Sequence, residues 1–165
     1  MASRGQRGEG TPREDGTLFG PARLGEARVL AAISQRYIEH GLDWRWRTAS
    51  IAAAIRAADS RVVVARSDRS AVGFAMMSFD FESCTAHLQL LAVLPSHRRR
   101  GLATQLLGWL EVIAKRGGIA RVELEVRERE LPARALYRRL GFREVARLPG
   151  YYQGREDALK LARAF

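Results

Sequence analysis

The sequence predicts a single mixed α/β domain of the α+β kind, with a mostly antiparallel central sheet of six to seven strands flanked by about four helices. Three observations predict this fold class. Helical segments come first, a run of short alternating strands follows, and a strand–helix–strand unit comes next. The strands of such a unit pair in parallel through a right-handed crossover, so the sheet is mixed.

Two helices are predicted in the N-terminal half. The first covers about residues 24–40, because apolar side chains recur at 3.6-residue spacing and Gly41 is a suitable stop. The second covers about residues 48–58. The connection between them contains Trp44 and Trp46, which either belong to the core or wall a binding pocket.

Three strands are predicted next, over residues 61–66, 71–81 and 85–93. Short apolar runs separated by polar turn residues are typical of an antiparallel meander. A helix follows over residues 101–115, because leucines and an isoleucine recur on one of its faces. The pair Gly117-Gly118 ends it.

The C-terminal part begins with a strand over residues 120–127. Its valines and leucine alternate with Glu123, Glu125 and Arg127, so one face is apolar and the other is charged. Pro132 then favours the first turn of a helix that ends before Gly141. Two short strands are predicted last, over 142–148 and 157–161.

The chain has 165 residues, of which 47% are hydrophobic and 28% are charged, which suits one domain with a substantial core. Residues 1–16 are predicted to be a disordered tail, because glycines and charges dominate there, and residues 17–165 form the predicted domain. No apolar run approaches the ~18 residues of a membrane span, and no signal-peptide core is present. These features favour a cytoplasmic protein without a membrane partner. A monomer or a homodimer is expected, and the sequence does not distinguish the two.

The formal net charge is +10, mostly from arginine. This excess favours polyanionic partners, such as nucleic acid, an RNA-rich assembly like the ribosome, or a phosphorylated ligand. A solvated basic surface is the alternative, since the arginines are scattered along the chain. The three histidines and Cys84 show no metal-ligand spacing, so no metal site is expected.

Residues 88–104 carry the strongest chemical signal. An apolar strand leads through a short loop with three consecutive arginines into a helix that opens at Gly101. A helix N-terminus presents unpaired N–H groups and a partial positive charge, and glycine lets a phosphate approach the backbone. The segment therefore predicts a pyrophosphate site, with a merely solvated basic loop as the alternative.

Arg98-x-x-Gly101-x-Ala103 after a β-strand resembles the [Q/R]-x-x-G-x-[G/A] signature of GNAT acetyltransferases. The flanks strengthen the likeness. The strand residues Leu91-Ala92-Val93, with a proline after them, match the usual lead-in. Downstream, the tyrosine in a helix ending at Leu140-Gly141-Phe142 resembles the second motif of the family.

Within the family the sequence is similar to ribosomal-protein-alanine N-acetyltransferases. The strand Leu124-Glu125-Val126-Arg127 matches their L-E-V-R strand, and Tyr151-Tyr152 with Arg155-Glu156-Asp157-Ala158 matches their C-terminal pattern. The helix-1 to helix-2 connection departs from their Phe-Pro-Trp pattern, which leaves peptide specificity open. Tyr151 and Tyr152 either line the peptide site or stabilise the last hairpin by packing on it.

The resemblance implies a GNAT fold with splayed parallel strands at the cofactor site, and acetyl-CoA as co-substrate. It also implies that the pantetheine arm pairs with the backbone of the strand at 91–93. Many relatives carry an asparagine where this chain has Glu130, whose carboxylate needs Arg127, Arg129 or Arg134 to neutralise it near pyrophosphate. The implied cofactor-binding residues are Leu91, Ala92, Val93, Arg98, Arg99, Arg100, Gly101, Leu102, Ala103, Thr104 and Glu130.

Glu125 and Tyr137 have the spacing that the resemblance assigns to the general base and the general acid. Acetyl transfer from a thioester needs a neutral amine and a proton for the departing thiolate. A carboxylate can accept the first proton and a phenol can donate the second. Glu123 is an alternative carboxylate, and a core role is the alternative for Tyr137.

The sequence thus predicts acetyl transfer in a ternary complex to a primary amine, with the N-terminal α-amine of a protein, for example a ribosomal one, as the leading acceptor. Acetylation of a small amine is the second hypothesis. The third is a non-catalytic module of the same fold that binds acyl-CoA or RNA.

Overall fold

Within residues 16–165, seven strands form one sheet, and four α-helices cover its two faces. The computed structural model describes residues 16–165 of the chain, so nearly all of the predicted tail, 1–16, lies outside the described residues. The strands are β1 (Leu18–Pro21), β2 (Ser60–Ser67), β3 (Ser70–Asp80), β4 (Thr85–Val93), β5 (Arg121–Arg127), β6 (Arg143–Tyr152) and β7 (Glu156–Ala164). The helices are α1 (Ala27–Tyr37), α2 (Thr48–Arg56), α3 (Leu102–Arg116) and α4 (Leu131–Arg139).

The strands lie in the order β1-β2-β3-β4-β5-β7-β6, and every neighbouring pair is antiparallel except β4 and β5. The predicted mixed fold is therefore confirmed, and so is the parallel pair joined by a helix. The order also brings β7 between β5 and β6, which places the C-terminal hairpin at one edge of the sheet.

The structure differs from the prediction mainly at β1, at the end of α1, and in the last two strands, β6 and β7, which are longer than the predicted 142–148 and 157–161. Strand β1 was not predicted, because four residues that include a glycine and a proline carry little strand signal; it forms as an edge strand on β2. Helix α1 ends at Tyr37 and not at His40, because the backbone N–H groups of Ile38 and Glu39 both bond to the carbonyl of Ser34. The remaining three residues enter the loop before α2.

The core consists of two clusters, one on each face of the sheet. Alternation along each strand sends successive side chains to opposite clusters, so Val63 packs under α3 and Val64 packs under α1 and α2. Strand β5 follows the same rule, with Val122, Leu124 and Val126 in the α3–α4 cluster. The predicted apolar and charged faces of this strand are thereby confirmed. None of the described helices has the length and apolar character of a membrane span.

Leu106→Ala is expected to lower the free energy of unfolding by about 3 kcal/mol, because a fully buried leucine leaves a cavity under α3. For a domain of this size the melting temperature should fall by roughly 6–12 °C. Val112→Ala on the same helix is the matched control. Its side chain is 49% exposed, so its cost should stay below about 1 kcal/mol. Equal losses in the two variants, measured by thermal or urea unfolding, would contradict this packing.

Candidate active site

The parallel strands β4 and β5 pair over only three residues of each strand and then separate. The last pair joins His87 to Glu123, and beyond it the two strands diverge towards their carboxyl ends. The backbone of β4 still pairs with β3 on its other side, so its edge towards β5 is left open. A cavity occupies this gap. It is lined by Leu88, Gln89, Leu90, Leu91, Glu125, Val126, Arg127, Tyr37, Ile38, His40, Glu130, Ala133, Tyr137 and Tyr152.

The loop after β4 leads into α3 as predicted. A short 3₁₀ turn over Pro95–His97 comes first, and Gly101 then precedes α3 with φ +74°, in the left-handed region where a side chain is strained. No side chain of residues 16–165 caps this helix end, so among them the first N–H groups of α3 have no side-chain acceptor. Thr104 is exposed in the first turn, and Leu102 is buried in the core.

The three arginines of this loop have different surroundings. The Nε of Arg98 donates to the carbonyl of Val93 at 2.9 Å, and its guanidinium lies 5.6 Å from the centre of the Tyr37 ring. Arg98 therefore anchors the loop to the end of β4 and to α1. Arg99 and Arg100 are exposed next to the amino end of α3. The structure thus gathers the predicted loop residues around one helix terminus.

Glu125 and His87 form a hydrogen-bonded pair at the point where β4 and β5 separate. Glu125 lies on the α1–α2 face of the sheet, and its Oε2 contacts Nε2 of His87. The Glu125 side chain is 14% exposed and the His87 side chain is 38% exposed. The sequence placed His87 in a strand but did not indicate that Glu125 is its partner. This contact depends on the register between two strands that are distant in sequence, which no local pattern reports.

Glu123, the alternative carboxylate, is held by two cations. Lys160 Nζ lies 2.6 Å from one of its oxygens, and Arg121 Nη2 lies 2.7 Å from the other. The hydrogen bond from Lys160 holds the pKa of Glu123 below its usual value. Glu123 does not line the cavity, whereas Glu125 does. The geometry therefore brings Glu125 to the cavity and keeps Glu123, the alternative that the sequence left open, outside its lining.

Tyr137 lines the same cavity from the opposite face of the sheet. It belongs to the α3–α4 cluster, where its ring meets Phe142 edge-on with 5.7 Å between ring centres. Burial raises the pKa of its phenol, so the group stays protonated at neutral pH. Within residues 16–165 no hydrogen-bond partner is found for the hydroxyl. Tyr137 thus presents a buried, protonated phenol to the gap between the strands.

Glu130 also lines the cavity, at the residue that precedes α4. Its Oε1 lies 3.5 Å from Nε2 of His40. Two of the three predicted neutralising arginines are engaged elsewhere: Arg127 binds Glu156 and the carbonyl of Ile38, and Arg134 binds the carbonyl of Glu128. The partner of Glu130 is therefore a histidine from the α1–α2 loop, which the sequence did not indicate.

The sequence left two alternatives each for the tryptophans of the α1–α2 loop and for the tyrosine pair at the end of β6, and the structure shows their surroundings. Trp44 and Trp46 pack against the α1–α2 cluster, and neither lines the cavity. Tyr152 lines the cavity, and burial raises its pKa. Tyr151 stands edge-on to Tyr152 with 5.0 Å between ring centres and is 48% exposed. The tryptophans thus pack, partly buried, on the edge of the α1–α2 cluster, and Tyr152 belongs to the cavity wall.

Comparison with known proteins identifies the family. Residues 28–142 match the family described as the acetyltransferase (GNAT) family. The chain therefore belongs to the GNAT acetyltransferases, as the motifs around Arg98 and Tyr137 predicted. The match ends at Phe142 and includes the splayed strands, the α3 terminus and α4.

Two curated relatives are similar to the chain over about half its length. It is 41% identical over 78 residues to an N-alpha-acetyltransferase of Saccharolobus solfataricus, covering 47% of each chain. It is also 41% identical over 75 residues to the [ribosomal protein bS18]-alanine N-acetyltransferase of Escherichia coli, covering 44% of this chain and 51% of the relative. The chain thus spans about half the length of the curated relatives it matches.

The solved structures agree over a longer range. The ribosomal-protein-S18-alanine N-acetyltransferase from Escherichia coli superposes with a TM-score of 0.76 at 27% identity, covering 90% of this chain and 93% of that chain. Ard1 from Thermoplasma volcanium gives a TM-score of 0.80 at 23% identity, covering 90% and 97%, which shows the shared fold.

Proposed function

We propose that this chain transfers the acetyl group of acetyl-CoA to a primary amine, and that the amine is the N-terminal α-amine of a protein. The observation that carries the proposal is the cavity between β4 and β5. The carboxylate of Glu125 lines it from one face of the sheet, and the protonated phenol of Tyr137 lines it from the other face. A thioester held between them would meet both groups needed for acyl transfer.

The residues present fit coenzyme A. The amino end of α3 offers uncapped N–H groups and the exposed Arg99, which suit a pyrophosphate. The open edge of β4, which includes Leu91, offers backbone groups along the cavity to the amides of a pantetheine arm. Acetyl-CoA supplies the activated acyl group, and the protein supplies orientation and proton transfer.

Glu125 is the proposed general base. An α-amine has a pKa of about 8, so it is largely protonated at neutral pH and must lose a proton before it attacks. The Glu125 carboxylate can accept that proton at the edge of the cavity. His87 orients the carboxylate and, being more exposed, leads the proton towards solvent.

Tyr137 is the proposed general acid. Its raised pKa keeps the proton on the phenol at neutral pH, so the hydroxyl can donate a hydrogen bond to the sulfur as negative charge develops on it, and the proton passes to the thiolate as the C–S bond breaks. The absence of a hydrogen-bond partner within the described chain leaves the hydroxyl available to the sulfur. Because Glu125 and Tyr137 act from opposite faces, proton removal and proton donation do not compete for one position.

The choice of acceptor rests on the relatives, which are named for α-amine and alanine N-acetylation. The proposed acceptor is accordingly a protein N-terminus, and the net charge of +10 supports a partner near ribosomal RNA. Small amines such as polyamines are cations and would be disfavoured by the same charge.

A direct test incubates the purified chain with acetyl-CoA and a panel of N-terminal peptides, polyamines and free amino acids. We expect a mass increase of one acetyl group on peptides, located on the α-amine by fragmentation. Acetylation of small amines alone would contradict the proposed acceptor. The absence of coenzyme A binding in calorimetry, at any concentration up to millimolar, would contradict the proposed activity as a whole.

Gly101→Ala is expected to weaken coenzyme A binding about tenfold and to lower stability by about 1–2 kcal/mol, because an L-residue is strained at φ +74°. The matched control is Gly108→Ala in the middle of the same helix. Its added methyl meets nothing within 4 Å, so alanine should raise stability by about 0.5–1 kcal/mol and leave binding unchanged. Calorimetry and thermal unfolding check both; a binding loss in the control would contradict the role of the helix end.

A further inference from the structure

Helix α4 separates the proposed cofactor cavity from a second cleft. Ala133 and Tyr137 line the cavity, whereas Arg134 and Arg138, each one residue further along the helix, line the cleft. Consecutive residues of an α-helix point about 100° apart, so α4 presents one side to each space. The cavity and the cleft have no lining residue in common. The cleft is therefore a separate feature of the molecule, which the proposed acetyl transfer does not use.

The cleft lies between α4 and the C-terminal hairpin, at the edge of the sheet. Strand β6 is the edge strand there, and it pairs with β7 on its inner side. Leu159 and Leu161 of β7, together with Phe142, form an apolar floor on the α3–α4 face. The cleft encloses about 270 Å³ above this floor. All three floor side chains are buried, so the groups that an incoming molecule meets first are those of the rim.

Three arginines and one glutamate form the rim. Arg134 and Arg138 are four residues apart on α4, so their side chains leave the helix on the same side. Arg143 and Glu144 approach from the first two residues of β6. The rim therefore carries a net charge of +2, from three positive charges and one negative charge.

Two of the rim guanidinium groups bind nothing else in the described chain. Among residues 16–165, the side chains of Arg138 and Arg143 have no hydrogen-bond or ion-pair partner, and both residues are exposed. The same is true of Arg139, which follows Arg138 on α4. Arg134, by contrast, is anchored, because its Nη1 donates to the carbonyl of Glu128 at 2.9 Å. Three unpaired cations thus lie within residues 138–143, next to a fixed one.

Other arginines of the same hairpin have structural partners. Arg147 of β6 binds two carboxylates, and Arg163 of β7 binds one. These side chains hold the hairpin to its neighbours, whereas Arg138 and Arg143 hold nothing within the described residues. An unpaired, exposed guanidinium keeps its donors available for an anion from outside the chain.

We propose that this cleft binds single-stranded RNA, with Arg138, Arg139 and Arg143 on its phosphates. A guanidinium offers two parallel N–H groups to a phosphate, and its flat face can stack on a base. Single-stranded RNA presents both groups along one chain, because its bases are not covered by a second strand. The net charge of +10 attracts the same partner over a longer range.

An acidic peptide is the other polyanion that the rim attracts by charge. A peptide carboxylate matches the charge of a phosphate, but acidic side chains offer no planar base to the guanidinium faces. The combination of unpaired guanidinium groups with an apolar floor therefore favours RNA. The single carboxylate of the rim opposes either ligand, so Glu144→Gln is expected to tighten RNA binding about threefold.

The test measures the fluorescence anisotropy of a labelled single-stranded RNA of about 12 nucleotides, titrated with the purified chain. We expect a Kd of about 1–100 μM at roughly 0.1 M salt, and a slope of log K against log salt of about −2 for three phosphate contacts. Coenzyme A at saturating concentration should change this Kd less than about twofold, because the two sites have no lining residue in common. Displacement of the RNA by coenzyme A would place it at the amino end of α3 and overturn the cleft.

Two double variants locate the binding. Arg138→Ala with Arg143→Ala should weaken RNA binding about tenfold and reduce the salt slope by about 1.4, for two lost contacts. Arg28→Ala with Arg56→Ala removes the same charge from exposed residues of α1 and α2, on the opposite face, and should change the Kd less than about twofold. Equal losses in the two variants would reduce the effect to net charge and contradict the site.

A competition experiment identifies the class of ligand. Polyglutamate of the same charge as the RNA should displace it at least about tenfold less effectively than unlabelled RNA does. Equal displacement would overturn RNA as the occupant in favour of an acidic protein. Kd values above millimolar for the RNA, at roughly 0.1 M salt, would overturn the site altogether. Turnover of acetyl-CoA enters none of these measurements, so they stand whether or not the chain transfers an acetyl group.

Discussion

Glu125→Gln is expected to lower kcat for peptide acetylation about 10²–10³-fold at neutral pH, with the affinity for acetyl-CoA unchanged within about twofold. The amide keeps the size of the carboxylate and can still contact His87, but it cannot accept a proton. The deficit should narrow as the pH rises past about 8, because an α-amine that is already neutral in solution needs no base. A pH series of steady-state rates, with calorimetry for acetyl-CoA, measures both parts.

Glu123→Gln is the matched control, since the two carboxylates lie two residues apart on the same face of β5. Glu123 is committed to Lys160 and Arg121 and does not line the cavity, so its loss should cost less than about fivefold in kcat. If the control lost as much activity as Glu125→Gln, or if Glu125→Gln retained full activity at neutral pH, the assignment of the base would be wrong.

Tyr137→Phe is expected to lower kcat about 10²-fold while leaving the melting temperature unchanged or slightly raised. The catalytic part follows from the loss of the proton donor at the departing thiolate. The stability part follows because the hydroxyl has no partner in residues 16–165, so its removal breaks no internal hydrogen bond, and the ring contact with Phe142 is kept. Pre-steady-state rates and thermal unfolding test the two parts separately.

Phe142→Leu is the control for packing around this tyrosine. It removes the ring contact but keeps the phenol, so it should cost about 1–2 kcal/mol of stability and less activity than Tyr137→Phe. The raised pKa of Tyr137 also predicts that the wild-type rate does not fall between neutral pH and pH ~10, because the phenol keeps its proton there. A wild-type alkaline decline below that pH, or a Tyr137→Phe variant as active as wild type, would contradict the general-acid role.

The fold was predictable from the sequence because its signals are local. The alternation of Val122, Leu124 and Val126 marked β5, and the loop before Gly101 marked the start of α3. Strand β1 escaped prediction, since four residues containing a glycine and a proline form a strand only where β2 offers an edge. Its existence depends on tertiary contact, which local propensity does not report.

The candidate site was predictable in its residues and less so in its contacts. Glu125 and Tyr137 were expected from motif spacing, and the structure brings both to one cavity. The pairing of Glu125 with His87 and of Glu130 with His40 joins segments far apart in sequence, and no local pattern encodes it. The same holds for the two hydrogen bonds between the Gln153 side chain and the backbone of Asp43, which connect positions 110 residues apart.

The short pairing between β4 and β5 has a mechanical consequence. Three residue pairs, ending at His87 and Glu123, are the direct backbone link between a four-stranded half of the described sheet and a three-stranded half. A molecule bound in the gap beyond these pairs would bond to the backbone of one half and contact the side chains of the other. It would therefore restrict the motion of the two halves relative to each other. Amide hydrogens along the separated stretch of β4 would then exchange more slowly with deuterium, and the two halves would unfold as one cooperative unit.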